Sequence, residues 1–176
     1  MKEEQAGILE ALKFAIQMEL DGKKFYTRAG RESANKLGKE LYPWLATQED
    51  KHRKIFEEIY HAITTDNKWS EIDIKIEKGE KPVTIFASAI KKVGDAVKDK
   101  QSEIKVAEKA LEMELKSRDY YRQQADRSKS AVEKEFFVAI SEEEQGHYLA
   151  IIDYKEYITD PVGWFTRTEH HLLDGA

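Results

Sequence analysis

Six side chains with the chemistry to hold a cation recur at one spacing. Glu49 and His52 form a Glu-x-x-His pair, Glu144 and His147 form a second one 95 residues later, and at the same offset Glu19 is matched by Glu114. On a helix, a spacing of three sets two side chains about 60° apart on adjacent turns, so a carboxylate and an imidazole can reach the same ion. Tyr26 and Tyr121 follow the two single glutamates by seven residues, about two turns, which puts each phenol below its glutamate on one face.

Four carboxylates converging inside a protein repel one another and lose their hydration, so the arrangement is unfavourable unless it is neutralised. Two divalent cations cancel four negative charges, and two neutral imidazoles complete a six-ligand site of formal charge zero. Oxygen and imidazole donors suit iron or manganese better than zinc, and bridging carboxylates hold two ions about 3.5–4 Å apart. The chain has no cysteine, which excludes disulfides, thiolate zinc sites, iron–sulfur clusters and four-cysteine iron centres.

Two further histidine motifs lack this geometry. Glu58 and His61 repeat the Glu-x-x-His spacing, but nine residues past Glu49 places them about 180° round the same helix, facing solvent, and nothing matches them at 153 and 156. His170 and His171 are adjacent, diverge by about 100° on a helix, and do not chelate together.

The elements that must position these residues are helices. With three prolines and nine glycines in 176 residues, and apolar residues recurring at three and four, the fold class is all-α. The first helix is predicted from Glu3 to Arg31, with Ile8, Leu12, Ala15, Ile16, Glu19 and Tyr26 on one stripe. The second, from Gly38 to Ile63, carries Leu41, Leu45, Glu49, His52, Phe56, Ile59 and Ile63, with Pro43 tolerated in its first turns. Residues 65–101 read as a long connection, with an extended piece at 72–76, a turn at 77–81 and a short helix over 84–97. The third helix, Ser102 to Arg127, shows Ile104, Ala107, Leu111, Glu114, Tyr121 and Ala125, and the fourth, Ser130 to Ile158, shows Phe137, Ile140, Glu144, His147, Ile151, Tyr154 and Ile158. Residues 8–63 and 103–158 thus read as one helical hairpin used twice. After the stop at Asp160–Pro161, residues 159–176 are expected to form a short terminal helix packing Trp164, Phe165 and Leu172 onto the bundle.

The length suits one domain with a core of its own, here residues 1–158 followed by the tail. A formal charge of −5, with 34 acidic residues interspersed among 29 basic ones, builds no face for nucleic acid. No apolar run approaches the ~18 residues of a membrane span, and the start MKEEQAGILEALKF is acidic and helical, so a soluble cytoplasmic protein is the expectation.

These residues resemble the ferritin-like diiron-carboxylate superfamily, and within it the rubrerythrin-like proteins, over about residues 8–158; their ligand set is two single glutamates plus two Glu-x-x-His pairs. The resemblance implies a ferritin-like antiparallel four-helix bundle with one long crossover between helices 2 and 3. It also implies Glu19, Glu49, His52, Glu114, Glu144 and His147 as ligands of two iron ions, with manganese or zinc as substitutes. Tyr26 and Tyr121 would hydrogen-bond the glutamates and orient them. Two departures stand out. The rubredoxin domain of full rubrerythrins has no counterpart in this cysteine-free chain, so electrons would come from a separate donor such as a rubredoxin-type protein. Rubrerythrins also place another glutamate three residues after the single one of the third helix, where this chain has Ser117 after Glu114. Glu112 lies about 200° round the helix and does not substitute. The implied function is reduction of hydrogen peroxide or dioxygen by a homodimer; oxidation of ferrous iron for storage, and a non-catalytic metal-binding module, are the alternatives.

Overall fold

The computed structural model describes residues 2–66, 97–164 and 166–167, with side chains from residue 6 onward. Its four long helices are α1 (Lys2–Glu32), α2 (Lys36–Asp66), α3 (Lys100–Arg127) and α4 (Ala131–Thr159). Each begins and ends within three residues of the sequence expectation. The largest shifts lengthen α2, and they make Pro43 its eighth helical residue rather than its sixth. The helix runs on because Pro43 and Lys39, whose carbonyl loses its donor, are both exposed, so water can satisfy that carbonyl. The expected extended piece, turn and short helix between α2 and α3 lie outside the described residues apart from Val97, which is not helical. Phe165, Leu172, His170 and His171 also lie outside them.

α1 packs along α2 and α3 packs along α4, and the two hairpins meet through α1 against α3 and α2 against α4. Every neighbouring pair is antiparallel. Tyr120 Oη near the end of α3 donates to the carbonyl of Ala11 near the start of α1, and Glu103 at the start of α3 accepts from Tyr154 near the end of α4. Round the bundle the order is therefore α1, α2, α4, α3, and α2 and α3 point the same way. A helix of 31 residues is about 46 Å long, so α2 ends and α3 begins at opposite ends of the bundle. The 33 intervening residues can reach up to roughly 110 Å when extended.

The entry to α3 is tied to the α1–α2 turn by side chains rather than by a helix cap. Asn35 Nδ2 donates to the carbonyl of Lys98, and its Oδ1 accepts from the Lys98 amide, both at 2.9 Å. Buried Glu103 turns inward, accepting from Ser33 Oγ at 2.8 Å, the Ala34 amide at 2.7 Å and Tyr154 Oη at 2.7 Å. Gly30 clears the way for the turn, since a Cβ there would meet the Pro43 ring at 2.7 Å.

Apolar packing divides into two clusters. One holds Tyr26, Leu41, Leu45, Ile151, Tyr154 and Ile158; the other holds Leu12, Phe56, Ile59, Tyr121, Phe137 and Ile140. Beyond α4, residues 161–164 continue as helix, and buried Trp164 stands edge-on to Tyr157 with ring centroids 6.0 Å apart. Among the described residues no helix is long and apolar enough to cross a membrane.

Candidate metal centre

Between the two apolar clusters the middle turns of all four helices carry acid or imidazole inward. Glu19, Glu49, His52, Glu114, Glu144 and His147 are all at most 4% exposed, a burial that ionisable side chains adopt only with partners. The helical period brings them there: in α2 and α4 the two Glu-x-x-His pairs sit in register with apolar residues of the same stripe, Leu45 and Phe56 beside Glu49 and His52, and Ile140 and Ile151 beside Glu144 and His147.

The six converge as two overlapping sets of four. Donor atoms of Glu19, Glu49, His52 and Glu144 all lie within 4.8 Å of one another, as do those of Glu49, Glu114, Glu144 and His147. Glu49 and Glu144 belong to both sets, so each set has one histidine, one glutamate of its own and two shared carboxylates. His52 Nδ1 is 3.0 Å from Glu144 Oε1 and 3.6 Å from Glu19 Oε2. His147 Nδ1 is 3.5 Å from Glu114 Oε2 and 3.6 Å from Glu49 Oε1. The two imidazoles stack with centroids 5.5 Å apart.

These inward-facing atoms lack hydrogen-bond partners. Glu19 Oε2, Glu49 Oε1, Glu114 Oε2, both oxygens of Glu144 and Nδ1 of both histidines are buried and unsatisfied. Buried polar groups are rarely left so, and seven orphaned lone-pair donors aimed at two points are what a pair of cations would satisfy. Oxygen and imidazole donors gathered in this way could hold metal ions.

Electrostatics reflects the crowding. Burial, then the neighbouring Glu19, Glu114 and Glu144, push the Glu49 carboxyl well above the usual range, and burial with Glu114 and Glu19 does the same to Glu144. Burial opposes charge on His52, but its bond to Glu143 and the Glu144 and Glu19 carboxylates beside it prevail and raise it well above the ordinary imidazole value. Glu114 is also penalised by burial, yet His147 beside it holds its carboxyl below the usual range.

The two tyrosines reach across the bundle. Tyr26 Oη donates to Glu114 Oε1 and Tyr121 Oη to Glu19 Oε1, so each phenol serves the glutamate of the other hairpin rather than the one seven residues before it. Seven residues is about 10.5 Å along a helix axis, too far for a phenol to reach its own glutamate, whereas antiparallel α1 and α3 bring each tyrosine level with the other's carboxylate. Burial and the adjacent carboxylates raise both phenols well above the usual tyrosine value, which keeps them protonated donors.

The motifs set aside on geometry are placed accordingly: Glu58, His61 and Glu112 are exposed, and Ser117 is half-buried. Three contributors escaped the sequence reading. Glu143 accepts from His52 Nε2 at 2.8 Å, hidden in the run Glu142–Glu144 where only one residue can face inward. Trp44 stands edge-on to His147. Gly22 leaves room for Glu49, because a Cβ there would collide with Glu49 Oε2 and lie 3.1 Å from its Cδ; a glycine inside a helix, three residues after Glu19, is the signal that was available.

Comparison with known proteins bears on this arrangement. The family model described as Rubrerythrin matches residues 10–153, a span containing all six converging residues. A solved structure of a hypothetical protein from Pyrococcus furiosus superposes with a TM-score of 0.63 at 20% identity, covering 86% of this chain and 90% of that one; at that identity the likeness is one of fold. Among curated proteins no match is found.

Proposed function

Because the chain belongs to the rubrerythrin family, we propose that it is a non-haem diiron oxidoreductase that reduces hydrogen peroxide or dioxygen with electrons from a separate donor. The observation that carries this reading is the pair of four-residue sets sharing Glu49 and Glu144, the pattern that two ions bridged by carboxylates require. Glu19 and His52 would hold one ion, Glu114 and His147 the other. An iron pair so held supplies two electrons for cleaving an O–O bond.

The chain's own residues prepare that chemistry. Tyr26 and Tyr121 occupy Oε1 of Glu114 and Glu19, leaving Oε2 of each directed into the site with its orientation set. The apolar clusters above and below exclude bulk water and so strengthen every electrostatic interaction between them. Glu49 and Glu144, raised by burial and mutual repulsion, bind protons in the metal-free state and release them as cations enter.

Family likeness adds two further elements to the proposal, a homodimeric assembly and a rubredoxin-type donor. The test is anaerobic loading with ferrous iron, metal analysis, and then stoichiometric peroxide or oxygen with a reductant. Two irons per chain, an absorption change on oxidation and repeated turnover are the expected outcome. A chain that takes up fewer than two irons refutes the reading, and elution as a large hollow cage in size-exclusion chromatography would favour iron storage instead.

A further inference from the structure

The two halves of the duplicated bundle differ behind their histidines. His52 directs Nδ1 toward Glu19 and Glu144, while its Nε2 donates to Glu143 Oε2 at 2.8 Å. In the neutral ring that a cation requires, that bond puts the proton on Nε2 and leaves the Nδ1 lone pair facing Glu19 and Glu144. A carboxylate behind a ligating imidazole locks the ring and raises its basicity. At the other histidine the same 95-residue relation places Gln48 where Glu143 stands. Gln48 is a buried neutral amide whose Oε1 accepts from Lys51 at 3.4 Å, and the His147 ring meets the edge of Trp44 at 5.5 Å. Among the described residues no carboxylate makes the corresponding bond to His147 Nε2.

We infer that the two cation positions are unequal: the one at His52 binds more tightly and fills first, and Glu143 is the positioning residue that makes it so. The inference rests on the dinuclear reading above. Glu143 joins α4 to α2 through His52 and belongs to neither four-residue set. Its effect is therefore on affinity and order of filling.

The experiment is an anaerobic titration of metal-free protein with Co(II), whose visible bands report the donor set, paired with calorimetry. Wild-type protein should take two ions in two resolved steps. Glu143→Gln and Glu143→Leu should weaken the first step roughly 10–100-fold, the range for loss of such a supporting carboxylate, and leave the second where it was. Gln48→Glu should tighten the second step and bring the two together. Circular dichroism of the metal-free variants checks the fold; should Glu143→Leu fail to fold, Glu143→Gln and Gln48→Glu still decide the matter. Two equal steps in the wild type, or a first step unmoved by Glu143→Gln, overturn the inference and leave the dinuclear reading standing. Uptake of fewer than two ions by the wild type overturns both.

Discussion

Gly22→Ala separates holding the fold from holding the metal. In a helix interior, alanine is better than glycine by about 0.8–1 kcal/mol, so α1 gains intrinsic stability. The new Cβ, however, would collide with Glu49 Oε2 and sit 3.1 Å from its Cδ. Glu49 can yield only by rotating, at a cost of roughly 0.5–1.5 kcal/mol for an off-rotamer side chain. In metal-free protein these effects nearly cancel, and urea unfolding should shift by less than about 1 kcal/mol either way. Metal binding has no such compensation, because Glu49 belongs to both four-residue sets and a displaced carboxylate is withdrawn from both. Affinity should fall roughly 10–100-fold at each position, which is about 1.4–2.8 kcal/mol per ion. Ser117→Ala is the matched control: position 117 is the repeat partner of Gly22 and already bears a Cβ, so binding should stay at the wild-type level. The assay is calorimetric titration beside urea unfolding of the same metal-free samples. Wild-type affinity for both ions in Gly22→Ala would show that Glu49 is not shared in the way its position implies.

Other consequences follow from the same structure. Glu103→Leu strips the acceptor from Ser33 Oγ, the Ala34 amide and Tyr154 Oη and should cost about 3–5 kcal/mol, a fall in Tm of roughly 6–20 °C; Tyr154→Phe, which removes one donor, should cost about 1–2 kcal/mol. In both variants metal stoichiometry should be unchanged, since Glu103 lies at the end of the bundle beside the α1–α2 turn. Glu49→Gln should lower the number of ions bound, read by metal analysis, and should make metal-free protein more stable than wild type at the alkaline end, where Glu49 would otherwise have to ionise among like charges. Metal-free protein should also lose stability as pH rises. Glu49 and Glu144 are raised above 4.5 and His52 above 6.5, so the folded state holds protons that the unfolded chain releases, and each group favours folding below its unfolded pKa. Glu114, which is lowered, works the other way at the acid end. Urea unfolding in a chelator between about pH 5 and 8 should show stability falling with pH; a rise over that range would refute the reasoning.

Much of this protein is legible in one dimension. Helical periods of three and four locate four helices to within three residues, because each helix buries a single stripe and its apolar residues must recur at the helical repeat. The 95-residue offset and the apolar stripes together select Glu19, Glu49, His52, Glu114, Glu144 and His147 from a chain with 34 acidic residues; the offset alone also pairs Glu40 with Glu135, which are both exposed. Pro43 stands two residues deeper in its helix than the sequence suggests, because helix ends are set by side chains and water as much as by propensity. The exchange of partners between Tyr26 and Tyr121 was decided by the antiparallel meeting of α1 and α3, which no local spacing encodes. Glu143 and Gly22 owe their roles to the approach of one helix to another: what lies behind the His52 ring belongs to α4, and what presses on Gly22 is a side chain of α2. Which residues face inward can be read from the chain alone, because burial follows the helical period; which of them touch, and how the two halves of the centre differ, is settled by the packing of four helices, because those contacts join residues from 27 (Gly22 and Glu49) to 102 (Glu19 and Tyr121) positions apart.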